Sequence, residues 1–363
     1  MKIGILTYHR SHNYGAVLQA IALRYELTKL GHEVYYIDYW PKYHQRMYAY
    51  FSFYSLTHRR IRGAFSYIRQ FVKYHKQKKV KIERFESFIH DFIVPYCKSI
   101  NDTYDIIVHG SDQIWRKQEG KWYNPIYFGV HDNIRSKYNV SYAASMGKIS
   151  KDENDVRLVK RYLTHMDRIS VRETDLFDFV KEIGFRDATI SMDPTFLLSK
   201  SEWDKLIPMQ SLYSKKYLLY YKLLDKSFND KDVYAFAKEH GWDVKVLYGY
   251  PTMSKEDENS ICTAGPIEFL NLIRNAEFVI TSSFHGLAFS LIYQKPFYVA
   301  FSIGSSRAMS VLKNVGLEKR LLNPMAKIPS IDAIINYSKI DDKIQRLNKN
   351  SILYLRDLKF LCK

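Results

Sequence analysis

The residues best equipped for chemistry lie within Glu277–Phe297, EFVITSSFHGLAFSLIYQKPF, where an apolar run meets Thr281-Ser282-Ser283 and then Phe284-His285-Gly286. A strand that turns directly into a helix there aims several backbone N–H groups and the positive end of the helix dipole at one point, which suits an anion. Ser282 and Ser283 add hydroxyl donors, Gly286 permits close approach, and His285 titrates near neutrality. The same residues also read as an N-cap and a packed histidine, so the neighbouring motifs decide between the two.

Arg172 ends the apolar run of ISVRET, where a buried guanidinium requires an anionic ligand or a carboxylate such as Glu173 or Asp175. The loop Gly110–Trp115, GSDQIW, offers Ser111, Asp112 and Gln113 to a polyhydroxylated ligand, or forms a capping turn with Trp115 in the core. Asn13 and Gly15 hold the equivalent place after the first strand, without the GxGxxG pattern of a dinucleotide site and with no Walker A sequence elsewhere.

The elements that must position these groups alternate between strand and helix. Ile3–Thr7 predicts a strand, the spacing from Tyr14 to Leu27 a helix stopped by Gly31, and Val34–Asp38 a second strand, a βαβ start that favours a parallel sheet. Further strands are expected at Tyr104–His109, Asn139–Ala144 and Arg168–Arg172, with a turn-rich boundary near Met192–Thr195. The pattern restarts with strands at Tyr217–Tyr221, Asp243–Tyr248, Glu277–Thr281 and Lys295–Ala300. The expected architecture is α/β: a Rossmann-like domain over residues 1–200, a second over 201–335, and a helical tail over 336–363 packing back on the first. Ligands of such sheets bind at the carboxyl ends of the strands.

Composition narrows the function. The chain has 363 residues, enough for two domains, and its 46% hydrophobic and 26% charged content is that of a folded protein. Cys97, Cys262 and Cys362 lack any CxxC spacing, so neither a disulfide framework nor a structural zinc site is expected. The N-terminal apolar run is too short for a signal segment and no run approaches a membrane span, which points to a cytoplasmic protein. The net charge of +17 is uneven: Lys42–Arg84 holds twelve Lys and Arg against Glu83 alone, interleaved with aromatics such as Phe53, Phe65 and Tyr74. This segment, part of a helical insertion over residues 42–90, suits an anionic membrane face at which the protein would sit peripherally, or else is an ordinary solvated insertion.

Taken together, SHNYGAVLQAIAL, HGSDQIW, SYAAS, ISVRE, MDPTFLL and TSSFHGLAFSLIYQKPF resemble, in sequence order, the polysaccharide pyruvyl transferase family. The resemblance implies a fold like that of GT-B glycosyltransferases, with two domains facing a cleft. It implies transfer of the pyruvyl unit of phosphoenolpyruvate to a sugar of a cell-surface polysaccharide, capsule or exopolysaccharide, or of its lipid-linked precursor, with release of phosphate and no cofactor or metal. The family's Arg in VR(D/E) matches Arg172 and its turn His matches His285, the expected acid; Asp112 is the expected base. Several members carry Arg-x-His in that turn where this chain has Ser283-Phe284-His285, so Lys137, Lys148 or Arg307 is expected to supply the absent charge. The competing readings are a GT-B-like glycosyltransferase using a nucleotide sugar and a non-enzymatic basic module for a membrane surface or nucleic acid. The cleft motifs leave no need for a nucleic-acid partner.

Overall fold

A computed structural model shows two parallel sheets with the same strand order, one in each half of the chain. It describes residues 1–58, 61–118, 121–208, 210–223, 227–250, 258–301, 306–330 and 335–361; Arg59, Arg60 and Cys362 lie outside the described residues. In the first sheet β3 (Cys97–Lys98), β2 (Glu33–Ile37), β1 (Lys2–Leu6), β4 (Thr103–His109) and β5 (Arg135–Ser141) lie side by side. In the second the order is β10 (Ser260–Ile261), β9 (Asp243–Tyr248), β8 (Tyr217–Lys222), β11 (Phe278–Thr281) and β12 (Phe297–Val299). A short parallel pair, β6 (Ser170–Val171) and β7 (Thr189–Ile190), carries the first sheet on past β5 through single bridges such as Ala144 to Val171.

The central strands form where they do because helices cover both faces, so their sequences are nearly continuous apolar runs. All of Tyr217–Lys222 and Phe278–Thr281 is buried. The helix Tyr14–Lys29 begins at the Asn13 side chain, which accepts from the Ala16 N–H, and is followed by Gly31 at φ 88°. That left-handed conformation favours glycine over any residue with a Cβ.

Two devices join the halves. The helix Tyr337–Arg356 spans them: the Tyr354 hydroxyl donates to Ser141 O at 2.7 Å, and Ser351 Oγ accepts from Met192 N at 2.9 Å. On its other side Lys343 Nζ donates to Val315 O at 3.0 Å. The tail therefore packs on the first half as expected and also grips the second.

The second device is the basic segment, which folds as helices Lys42–Tyr48, Phe53–Thr57 and Ile61–Phe92. The last of these is more than a solvated insertion. Phe85, Phe88 and Ile89 are buried in the common core, Lys81 Nζ donates to Gly249 O at 2.7 Å, and Arg84 pairs with Glu268 at 3.3 Å. Burial pushes the Lys81 amine down to about 8. Among the described residues, no helix is long and apolar enough to cross a membrane.

One buried apolar cluster runs through both halves, from Ile3 and Val17 through Phe85 and Trp203 to Phe269 and Leu287. Tyr14 sits at its seam, stacked on Phe269 with ring centroids 4.5 Å apart, and its hydroxyl donates to Ala264 O at 2.8 Å. Tyr14→Phe keeps the stack and leaves that carbonyl unpaired. It should lower the unfolding free energy by about 1 kcal/mol in a urea titration without changing the slope. An unchanged midpoint would mean that the seam does not depend on this bond.

Candidate active site

The strand ends that matter converge at the seam. Arg172 follows β6 directly, and its N–H bonds Ala144 O at 3.1 Å; Ser191, just after β7, bonds Val171 O at 2.9 Å. These single rungs fix Arg172 and Asp193 side by side beneath the loop after β5. Facing them from the second half is the turn after β11, where Ser283 caps the helix Phe284–Ile292 by accepting from Gly286 N. His285 thus lies in the first turn of a helix whose positive end points at the first domain.

Asp193 is the centre of the arrangement. Its carboxylate accepts from Arg172 Nη1, from Thr195 N at 3.0 Å and from Thr195 Oγ1 at 2.7 Å, and its Oδ2 stands 3.6 Å from His285 Nε2. Burial favours the neutral form of Asp193, yet the His285 contact and the Arg172 charge override it and hold the carboxyl well below the usual range. Glu173 behaves oppositely: burial pushes its carboxyl up despite Arg172 Nε at 3.2 Å. Burial thus acts on both carboxyls, and it is overridden only at Asp193. Arg172 is buried, and although burial opposes its charge, Glu173, Asp193 and Asp112 raise its pKa above the ordinary value.

The cluster is compensated without being closed. Arg172 Nη2 has Asp112 Oδ1 at 4.0 Å and no hydrogen-bond partner among the described residues; His285 Nε2 likewise has none at full bonding distance. Arg307, from the helix Ser306–Val315, reaches the same place: its Nε is 3.9 Å from Glu173 Oε1, and both guanidinium groups flank the Phe284 ring, Arg172 at 5.1 Å and Arg307 at 5.7 Å from its centre. Burial and repulsion from Arg172 hold Arg307 below its ordinary value. An arginine under that strain gains from an incoming anion.

Gly15 explains how the halves close so tightly. A Cβ built on it would fall 1.8 Å from His285 Nδ1, so the imidazole of one domain rests on the bare backbone of the other. The sequence expectation placed Gly15 at a ligand; its immediate partner is the histidine itself. Asn13 is exposed and spends its side chain on the helix cap.

Other expected residues are placed differently. Ser111 is fully buried, donates to Ala143 O at 2.7 Å and accepts through its carbonyl from Thr7 Oγ1 at 2.9 Å, so its hydroxyl shapes the loop and is not offered to a ligand. Ser282 Oγ accepts from Leu223 N at 3.1 Å, and Gly286 packs so near Thr281 that a Cβ would come within 2.5 Å of its Oγ1. These residues build the turn. Asp112 faces Arg172 but also accepts from Gln113 N at 2.8 Å, while the Gln113 side chain packs beside Gly147. Lys137 sits toward the amino end of β5, away from the cluster, with its ammonium 3.1 Å from Asp105. The site lies at the other end of the strands, so of the cations expected to supply the missing charge Arg307 reaches the cluster and Lys137 does not, while Lys148 is exposed.

Asp193, Glu173 and Phe284 were not assigned site roles by the sequence. Asp193 stands in MDPTFLL, a motif read as a boundary turn, and Glu173 follows Arg172 directly and was weighed as its ion-pair partner. A cavity of about 710 Å³ lined by Leu291, Ile344 and Asn348 lies behind the turn helix, and none of the candidate residues lines it.

The family model described as polysaccharide pyruvyl transferase matches residues 13–305. No curated protein sequence matches the chain. Among solved structures it is similar to the UDP-GlcNAc 2-epimerase of Methanocaldococcus jannaschii, in complex with UDP-GlcNAc and UDP, at 11% identity over 99% of this chain and 100% of that one, with a TM-score of 0.50. A second structure of that enzyme gives 13% identity over the same shares, again with a TM-score of 0.50. The glycosyltransferase SnogD from Streptomyces nogalater also aligns, at 13% identity over 99% of this chain and 100% of that one, with a TM-score of 0.41. At these identities the likeness concerns the fold, which is GT-B-like.

Asp193→Asn leaves Arg172 short of a buried counter-charge and should cost roughly 3 kcal/mol of stability at neutral pH. Because the folded pKa of Asp193 is depressed, its stabilisation is present above the unfolded value and is lost as pH falls through the folded one. Calorimetric unfolding should therefore show the gap between wild type and variant widest near neutrality and narrowing below about pH 4. A gap independent of pH would contradict the ionised state assigned to Asp193.

Proposed function

This chain belongs to the polysaccharide pyruvyl transferase family, and from that premise we propose that it transfers the pyruvyl unit of phosphoenolpyruvate to a sugar of a polysaccharide or its lipid-linked precursor, releasing phosphate. Family membership makes it a transferase with a glycan acceptor and sets aside a purely non-enzymatic role. The donor is our reading. The observation that carries it is the pair of buried, incompletely bonded groups Arg172 Nη2 and His285 Nε2, brought from opposite domains to the same carboxylate, Asp193.

Phosphoenolpyruvate carries a carboxylate and a phosphate, and the site offers a matching pair of anion holders. The guanidinium groups of Arg172 and Arg307 suit the carboxylate, which pairs well with a planar fork of N–H donors. The N-terminus of Phe284–Ile292 suits the phosphate. Formation of a cyclic ketal needs one proton delivered to the methylene carbon and two removed from sugar hydroxyls; the surplus proton leaves on the phosphate. His285, oriented by Asp193, is the group that carries a proton to the donor and steadies the departing phosphate, and Asp112 is the proposed acceptor of a hydroxyl proton. Preorganised charge at the seam also favours the developing positive character of the pyruvyl carbon over the neutral ground state.

His285→Ala should lower phosphate release from phosphoenolpyruvate, in the presence of an accepting glycan, by about 100-fold or more, and Arg172→Ala should raise the donor KM as well as lower turnover. Circular dichroism of each variant checks that the fold persists. Full activity in either variant would overturn the assignment, and calorimetric binding of a nucleotide sugar without any of phosphoenolpyruvate would replace the proposed donor.

A further inference from the structure

The basic lobe has one face that the fold leaves uncovered. Along the helix Ile61–Phe92, Arg62, Phe65, Ile68, Arg69, Val72, Lys73, Lys76 and Lys79 recur at the three- and four-residue spacing that sets side chains on one side of a helix. All are exposed, Phe65 at 70% and Val72 at 63%. The preceding short helices add Phe53 at 74% and Met47 at 59%, with the Arg46 guanidinium 4.1 Å from the Tyr54 ring centre.

The lobe is not simply loose apolar surface. Phe51 packs on Phe53, Tyr67 and Phe71 at centroid distances of 5.0, 5.5 and 4.9 Å, and Tyr67 Oη accepts from Ser52 N at 2.8 Å, so one side of the helix is packed and Phe65, Ile68 and Val72 stand on the other. The farther half of the helix is fixed to both domains through Phe85, Lys81 and Arg84. A protein spends large exposed apolar groups on a partner, and here they are interleaved with cations over a segment whose formal charge, twelve Lys and Arg against one Glu, is +11.

We propose that the face formed by Phe65, Ile68 and Val72, interleaved with Arg62, Arg69, Lys73 and Lys76, docks on the surface of an anionic lipid bilayer. Cations draw the lobe to negatively charged headgroups, and the apolar side chains sink into the boundary between headgroups and acyl chains. A polyanion such as nucleic acid would use the cations but would leave Phe65, Ile68 and Val72 without a role, which is why the bilayer is the partner the chemistry favours. Docking goes beyond the transfer reaction and does not depend on the donor: the residues concerned are outside the cluster around Asp193. The farther end of the same helix reaches the seam, where His12, two residues from Tyr14, pairs with Glu86 at 2.7 Å.

Flotation of the full chain with vesicles tests this. The protein should float with vesicles containing phosphatidylglycerol, and only weakly with pure phosphatidylcholine. The double variant Phe65→Ser, Val72→Ser should reduce partitioning at least about tenfold, as the loss of two inserted apolar side chains requires, while thermal unfolding and phosphate release with a soluble acceptor stay unchanged. Arg62→Gln with Arg69→Gln and Lys76→Gln should remove the preference for anionic lipid. Equal flotation with both vesicle types would overturn the proposal, as would a Phe65→Ser, Val72→Ser variant that floats like wild type, or a wild type that binds a homopolymeric RNA and no vesicles. A concentration-dependent dimer seen by light scattering, abolished by Phe65→Ser with Val72→Ser in a protein that does not float, would assign the face to a second copy of the chain.

Discussion

A carboxylate buried at a domain seam governs the rest of this molecule. Asp193 is nearly inaccessible to solvent, so its ionisation is tolerable only because Arg172 from its own domain and His285 from the other lie against it. That requirement sets the approach of the two sheets, the absence of a side chain at Gly15, and the direction of the helix that begins at Phe284. If the domains separate, Asp193 loses one partner to solvent and His285 loses the backbone on which it rests. Closure and the electrostatics of the site are therefore one feature, built from groups that neither domain holds alone.

The same constraint accounts for what the site has to offer a ligand. Three acids already compensate Arg172, so its charge alone would attract an anion poorly. Affinity comes from the donors left over: Nη2 of Arg172, the crowded Arg307, and the first turn of the helix bearing His285. Such a site discriminates by shape and by the position of charge, because an anion that fails to reach all three gains little over water.

Much of the fold was legible because buried parallel strands announce themselves. The runs at Ile3, Ile106, Leu218 and Val279 are apolar on both faces and end in small or polar residues where the site loops begin. Short strands were less visible: the run Arg168–Arg172 is a strand only at Ser170 and Val171, because its partner there is a two-residue strand and its remaining contacts are single bridges. The basic segment hid its anchor, since the buried side of Ile61–Phe92 shows through Phe85 and Phe88 only once the second domain lies against it. For the site, His285 and Arg172 could be picked out by residue type and local setting. Asp193 could not, because an aspartate before a proline is an ordinary turn signal and nothing local says that a histidine 92 positions later will face it. The hydroxyls of Ser111 and Ser282 misled in the other direction, for the backbone they satisfy is invisible in sequence.

The central claim is that a donor anion is held between the two domains at Asp193 and His285. The most direct measurement is the nuclear magnetic resonance of the His285 ring nitrogens, assigned by comparison with His285→Asn, during titration with phosphoenolpyruvate. The account predicts saturable shifts of those resonances as a phosphate settles beside the ring, lost in Arg172→Ala. Binding of phosphoenolpyruvate that leaves the His285 resonances unchanged would place the donor elsewhere and contradict it.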